Sequence, residues 1–124
     1  MDRLRICSGS RCSLWWGADA SGRFRGLDYF NALKDPEKAK FDVLFELMAR
    51  EGRIRSPEHF RKESGDIFCF KRSQHRLACF RDGSDWVILD GFRKKSDKDK
   101  RLKRHIETAD RIRTEHMDRA QGDN

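Results

Sequence analysis

No segment of this chain approaches the roughly 20 apolar residues that span a bilayer, and the opening Met1-Asp2-Arg3-Leu4-Arg5 has no apolar run like that of a secretory leader. Membrane insertion and secretion are therefore not indicated. The four cysteines, Cys7, Cys12, Cys69 and Cys79, lack the short paired spacings of a zinc ribbon or a redox site. Cys69 and Cys79 lie inside apolar runs, so the cysteines read as small hydrophobes. Internal repeats and low-complexity linkers are missing as well, which argues against a repeat architecture. These absences lead us to expect a cytoplasmic protein with reduced thiols and no membrane partner.

What is present fits one domain. The chain has 124 residues, within the usual range of about 100 to 150 for a domain with one core. Charged residues make up 40% of it, yet nine Phe and three Trp supply apolar area for a core. We expect a single domain over residues 1–119 and a disordered tail over 120–124. The formal net charge is +7, with a pI of about 9.5. A phosphate-rich partner accounts for this economically. A merely solvated surface would account for the charge equally well, so position has to decide.

Along the chain, Cys12-Ser13-Leu14-Trp15-Trp16-Gly17 reads as a strand, and the residues before it as either a partner strand or a frayed end. Phe24, Leu27, Phe30 and Leu33 recur at helical spacing. A second helix starts at Asp35-Pro36-Glu37, with Asp35 expected at the N-cap and Pro36 in the first turn. It continues through Phe41, Leu44, Phe45 and Met48 to a stop at Gly52. Ser56-Pro57-Glu58 predicts a short helical turn carrying Phe60. The pattern then changes to period two, in the runs Ile67-Phe68-Cys69-Phe70, Arg76-Leu77-Ala78-Cys79-Phe80 and Trp86-Val87-Ile88-Leu89. Their short connections, Ser73-Gln74 and Asp82-Gly83-Ser84, force antiparallel neighbours. Ser96-Asp97-Lys98-Asp99 resembles a capping box that opens a last helix with the apolar stripe Leu102, Ile106, Ala109 and Ile112.

This layout places Lys71-Arg72, Arg76 and Arg93-Lys94-Lys95 at adjacent strand ends. Any one of them alone would be an ordinary solvated charge. Gathered at one sheet end they repel one another, and an anionic partner relieves that repulsion. RNA carries its own nucleophile, the 2′-OH, so its cleavage needs no metal or other cofactor. Arginines can balance charge on the pentavalent phosphate, and a Lys or His with a lowered pKa can move a proton. His75, beside Arg76, is the titratable group in reach, although turn histidines are commonly just exposed.

The runs Gly65-Asp66-Ile67-Phe68-Cys69-Phe70-Lys71, Arg76-Leu77-Ala78-Cys79-Phe80 and Val87-Ile88-Leu89-Asp90-Gly91-Phe92-Arg93-Lys94-Lys95 resemble, in their order, the RelE/HigB toxin superfamily. The resemblance implies an α+β fold: an antiparallel β-sheet of about four strands, two N-terminal helices, a C-terminal helix, and helices on one face. It also implies a metal-independent endoribonuclease that cuts mRNA at the ribosome, and a cognate antitoxin, expected to be of helix-turn-helix type, that masks the basic groove. Carried over by position, Lys71 ends the first meander strand, Arg76 is the phosphate-stabilising arginine, and Lys94 and Lys95 form the K-K pair. With His75 these are the expected catalytic residues, and Arg72, Arg93 and Arg81 the expected RNA contacts. Cys69 stands where many members have Glu. No C-terminal Tyr or His aligns with the one some members use, and His105 and His116 are what the last helix offers.

Two other functions fit the same residues. One is a gyrase-poisoning toxin like the ParE branch, without RNase activity, against which the K-K ending argues. The other is an inactive, phage-derived binding module, which the missing Glu keeps in play. Fold alone does not choose among them.

Overall fold

The computed structural model describes residues 2–96 and 100–122. The chain runs β1 (Arg3–Ser8), β2 (Ser13–Gly17), α1 (Arg25–Asn31), α2 (Asp35–Glu51), β3 (Phe60–Ser64), β4 (Ile67–Arg72), β5 (His75–Asp82), β6 (Asp85–Arg93) and α3 (Leu102–Gly122). The strands form one sheet in the order β1-β2-β6-β5-β4-β3. The meander β4-β5-β6 is antiparallel, as the short turns require.

The sheet is larger than the expected four antiparallel strands, and it is mixed. β1 pairs with β2, so the residues before Cys12 are a partner strand, not a frayed end. β2 joins β6 in parallel, Leu14 opposite Trp86, because the chain between them passes through helices, as a parallel connection must. The expected helical turn at Ser56 closes once, with the Phe60 amide donating to the Ser56 carbonyl at 3.0 Å. Phe60 itself opens β3. Pairing opposite Phe70 lets its ring pack on Phe68, Phe70 and Trp86, with centroids 5.6, 4.9 and 5.0 Å away, which a solvent-facing helical turn could not offer.

The helices cover both faces of the sheet instead of one. On the first face Phe41, Leu44, Phe45 and Met48 of α2 bury against Leu14, Trp16, Phe70, Leu77, Cys79 and Ile88, and α1 packs alongside with Leu27 and Phe30. On the second face Ile106, Ala109 and Ile112 of α3 bury against Ile67, Cys69, Ala78, Phe80, Val87, Leu89 and Phe92. The meander strands are apolar on both sides, so each side needs cover. Helix α2 begins one residue earlier than expected: Lys34 is the N-cap, without a side-chain capping bond, and Asp35 is already helical. Gly52 stops α2 in the left-handed region, φ 78°. Helix α3 continues to Gly122, into the stretch expected to be a tail, and most of the expected capping box falls on 97–99, outside the described residues. Among the described residues, no helix is long and apolar enough to cross a membrane.

One polar side chain continues the stripe of α3. His116 is fully buried against Phe80. Its Nδ1 lies 3.1 Å from the Ala18 carbonyl, and its Nε2 accepts from Arg3 Nε at 3.0 Å. Since an arginine can only donate, Nε2 holds a lone pair and the ring is neutral, with its proton on Nδ1. Burial pushes its pKa below the ordinary 6.5 and outweighs the Ala18 bond, which pulls the other way. The unfolded chain therefore takes up a proton near pH 6.5 that the folded chain refuses. Stability should hold above about pH 6.5 and fall as the pH drops from there toward 5. Thermal melts across that range test this, and His116→Gln should flatten the slope; an unchanged slope would contradict the neutral, buried role.

Candidate nucleic-acid interface

The last strand sets the geometry. Between β5 and β6, Cys79 lies opposite Ile88 but Ala78 lies opposite Asp90, so Leu89 is an extra residue in a β-bulge. Because side chains alternate faces along a strand, this slip reverses the sides taken by every residue after it. Phe92 turns to the α3 face and Arg93 to the α1 face. Gly91, opposite Leu77, also faces α1, and Tyr29 packs where its side chain would be.

The turn between β4 and β5 then binds the end of β6. Ser73 takes left-handed backbone, φ 52°, a conformation usually left to Gly or Asn. The Gln74 side chain accepts from Arg93 Nε and Nη2 at 2.9 and 2.6 Å and donates from Nε2 to the Lys95 carbonyl at 3.1 Å. The Gln74 carbonyl takes the Lys94 amide at 2.7 Å. A residue that reads as turn filler thus holds the Arg93-Lys94-Lys95 ending in place.

Cross-strand register divides the cations between two faces. Lys71, opposite Arg76, and Arg76, opposite Phe92, share the α3 face; Arg72, opposite His75, and His75, opposite Arg93, share the α1 face. The Arg76 guanidinium folds back over the turn, donating to the Ser73 and His75 carbonyls at 2.9 and 3.0 Å, and so reaches toward both groups. Lys71 Nζ donates to the Pro57 carbonyl at 3.1 Å, and Arg72 Nη1 to His59 Nε2 at 3.2 Å. Burial lowers the Lys71 pKa, and Arg76, Arg61 and Lys94 lower it further, against Glu63. Arg81 is not part of this cluster. It lies at the opposite end of β5, with its Nε on the Gly83 carbonyl at 2.9 Å. Five positions from Arg76 along one strand amount to about 16 Å, so alternation kept Arg81 on the strand but not at the site.

On the α1 face His75 has company that the sequence reading missed. Tyr29, the only tyrosine of the chain, lies with its hydroxyl 2.7 Å from His75 Nδ1. Burial raises the Tyr29 pKa, with Arg93 and Arg76 opposing. The His75 pKa is lowered by burial; Glu37 draws it back, and Arg93 and Arg76 push it down again. The imidazole is thus neutral at physiological pH. Beside it opens a groove of about 400 Å³ lined by Ala32, Leu33, Lys34, Glu37, His75 and Arg93. Tyr29 is partly buried against the first core beside Leu27, Phe30 and Leu33, so in the sequence it reads as one more core aromatic.

The other candidates are structural. Cys69 is fully buried, and burial pushes its thiol far above the ordinary value, so it does no proton chemistry at the site. His105 stacks on Phe92, with centroids 4.3 Å apart and planes within 6°, and His116 is locked in the core. Among the described residues, no group of three or more His, Cys, Asp and Glu side chains is placed to hold a metal ion.

An α+β domain with a basic sheet end of this kind has a counterpart among known families. The family model described as Phage derived protein Gp49-like (DUF891) matches residues 28–114, from α1 to α3. The chain belongs to this Gp49-like family of phage-derived proteins, which is a RelE/toxin-like family. No curated protein matches it.

Two substitutions test the geometry. A Cβ at Gly91 would come within 2.5 Å of Tyr29 Cγ and Cδ1, so Gly91→Ala should cost about 1–3 kcal/mol of stability as an overpacked site. Gln74→Ala should cost about 1 kcal/mol in lost hydrogen bonds and loosen the amides of 93–95 in hydrogen exchange. Unchanged protection there would show that Gln74 does not organise the strand end.

Proposed function

We propose that this chain is the toxin of a type II toxin–antitoxin pair, a metal-independent endoribonuclease that cuts ribosome-bound mRNA in the cytoplasm. The observation that carries this reading is the neutral His75 held by Tyr29 within a ring of cations. A neutral imidazole beside positive charge is what 2′-OH activation next to a phosphate requires. With Nδ1–H donating to the Tyr29 hydroxyl oxygen, Nε2 presents its lone pair and takes the 2′ proton. The O2′–P bond forms, the P–O5′ bond breaks, and the products are a 2′,3′-cyclic phosphate and a 5′-hydroxyl. Lys71 stands on the other face of the sheet, where it can hold a flanking phosphate, and the departing O5′ takes its proton from water. Arg76 and Arg93 balance the charge of the pentavalent phosphate, while Arg72, Lys94 and Lys95 hold flanking phosphates. The Glu that many relatives of the RelE type carry is here Cys69, and His75 takes over its proton chemistry.

The partner expected with such a toxin is an acidic antitoxin of helix-turn-helix type that covers the sheet end. Expression without it should arrest growth, and purified protein with ribosomes should yield cut transcripts. Arg76→Ala and His75→Gln should each lower cleavage by roughly 10²–10⁴. The rate should rise with pH through a limb below pH 6.5, set by His75, and Tyr29→Phe should displace that limb. Intact transcripts at every pH would sink the nuclease reading, and DNA breaks beside intact transcripts would favour the gyrase-poisoning alternative.

A further inference from the structure

The groove beside His75 contains more than cleavage of a phosphodiester needs. Its floor is apolar, from Ala32 and Leu33, and its rim is charged, from Lys34, Glu37 and Arg93. Among the described side chains that act on His75, Glu37 is the one anion, beside Arg93 and Arg76. One of its oxygens, Oε1, lies 3.5 Å from Lys40 Nζ, a long and weak contact. The other, Oε2, is buried and has no hydrogen-bond partner. A buried acceptor without a donor costs free energy, and such an orphan calls for a partner, whether a water, an ion or a bound group. A carboxylate cannot be answering the phosphate here, so it answers another part of the ligand.

We propose that this groove is a nucleobase subsite selective for guanine, occupied by the nucleotide whose 2′-OH is activated by His75. The inference rests on the ribonuclease reading for its placement and on the groove for its chemistry. A base fits against the apolar floor by its face, as unpaired bases do in single-stranded RNA recognition. Its edge then meets Glu37, whose carboxylate turns on the long Lys40 contact to bring the buried Oε2 into the groove. Guanine alone presents two adjacent donors there, N1–H and the N2 amino group. Adenine and cytosine place a ring acceptor beside their amino group, and uracil flanks its one N–H with two carbonyls; each of these turns a lone pair toward the carboxylate. The cations complete the match. Lys34 and the Arg93 Nη1 not used by Gln74 can reach the O6 and N7 acceptors of guanine, which form a favoured site for Arg and Lys. Proximity to His75 sets the position in the RNA: guanosine would be the residue on the 5′ side of the cut.

Binding of the four nucleoside 3′-monophosphates to the intact protein, followed by calorimetry and by shifts of the His75 and Leu33 resonances, tests the subsite without any cleavage. The 3′-GMP complex should be at least tenfold tighter than the others, with Leu33 and His75 perturbed together. Glu37→Gln, with nearly the same volume, should reduce that preference below threefold while 3′-UMP binding stays as it was. Lys34→Ala, an exposed change that leaves the core untouched, should weaken 3′-GMP about three- to tenfold and serves if Glu37→Gln fails to fold. Equal binding of all four nucleotides, or a guanine preference that survives both substitutions, would overturn the subsite even if transcripts are cut. Selective 3′-GMP binding by a protein that leaves transcripts intact would keep the subsite and remove the nuclease reading. If both hold, the cut ends should map to the 3′ side of guanosine.

Discussion

The extra residue at Leu89 is the constraint on which the functional end of this protein depends. Up to Ile88, the last strand alternates in step with its neighbours, and Trp86 and Ile88 lie in the core under α2. Without the bulge that alternation would send Phe92 to the α1 face and Arg93 to the α3 face. With it, Phe92 closes the α3 core and meets His105, Gly91 receives the Tyr29 ring, and Arg93 comes to lie opposite His75. A single unpaired residue thus converts a basic tail into an arrangement. Bulges commonly sit beside functional sites because they re-aim side chains at little cost to the ladder.

The two cores hold this arrangement from opposite sides, and polar groups are used sparingly between them. Asp90, left on the α3 face by the bulge, is buried with Arg25 at 3.6 Å; burial raises its pKa against the pull of Arg25 and of its bond from the Gly91 amide. His116 ties α3 to β1 and to the end of β2 through Arg3 and Ala18. Arg119, bonded to Asp2 at 2.6 Å, extends the tie to the start of the chain. Of these, the partly exposed Arg119–Asp2 pair contributes little by itself. Together with His116 it ties the C-terminal part of α3 to the start of the chain.

Much of the frame could be read in the residues. Period two in 67–89 with two short connections leaves an antiparallel meander as the only economical solution, and the spacing from Phe41 to Met48 with Gly52 after it defines α2. The limits were those of local reading. Phe60 follows a proline turn and looks helical, but the ring partners that make it a strand lie on β4 and β6. The parallel seam between β2 and β6 joins segments some seventy positions apart, and nothing near either of them announces it. At the site, the cations were visible as a run, yet their division between two faces follows from register. Tyr29, Glu37 and Gln74 were invisible for the same reason: each is unremarkable in its own neighbourhood and acquires a role only by folding against His75 or Arg93. Arg81 is the converse, a cation of the right type at the wrong end of its strand.

The central claim is that the sheet end built by this bulge and the Ser73-Gln74 turn is where single-stranded RNA lies. Chemical-shift mapping with a short oligonucleotide made uncleavable by 2′-deoxy substitution measures this most directly. The account predicts shifts concentrated at Tyr29, residues 71–76 and residues 91–95, weakening steeply with added salt as phosphate contacts are screened, while Arg81 and the Gly83 turn stay silent. Shifts spread along the outer face of α3 or centred on the Arg81 end, with His75 unmoved, would contradict it.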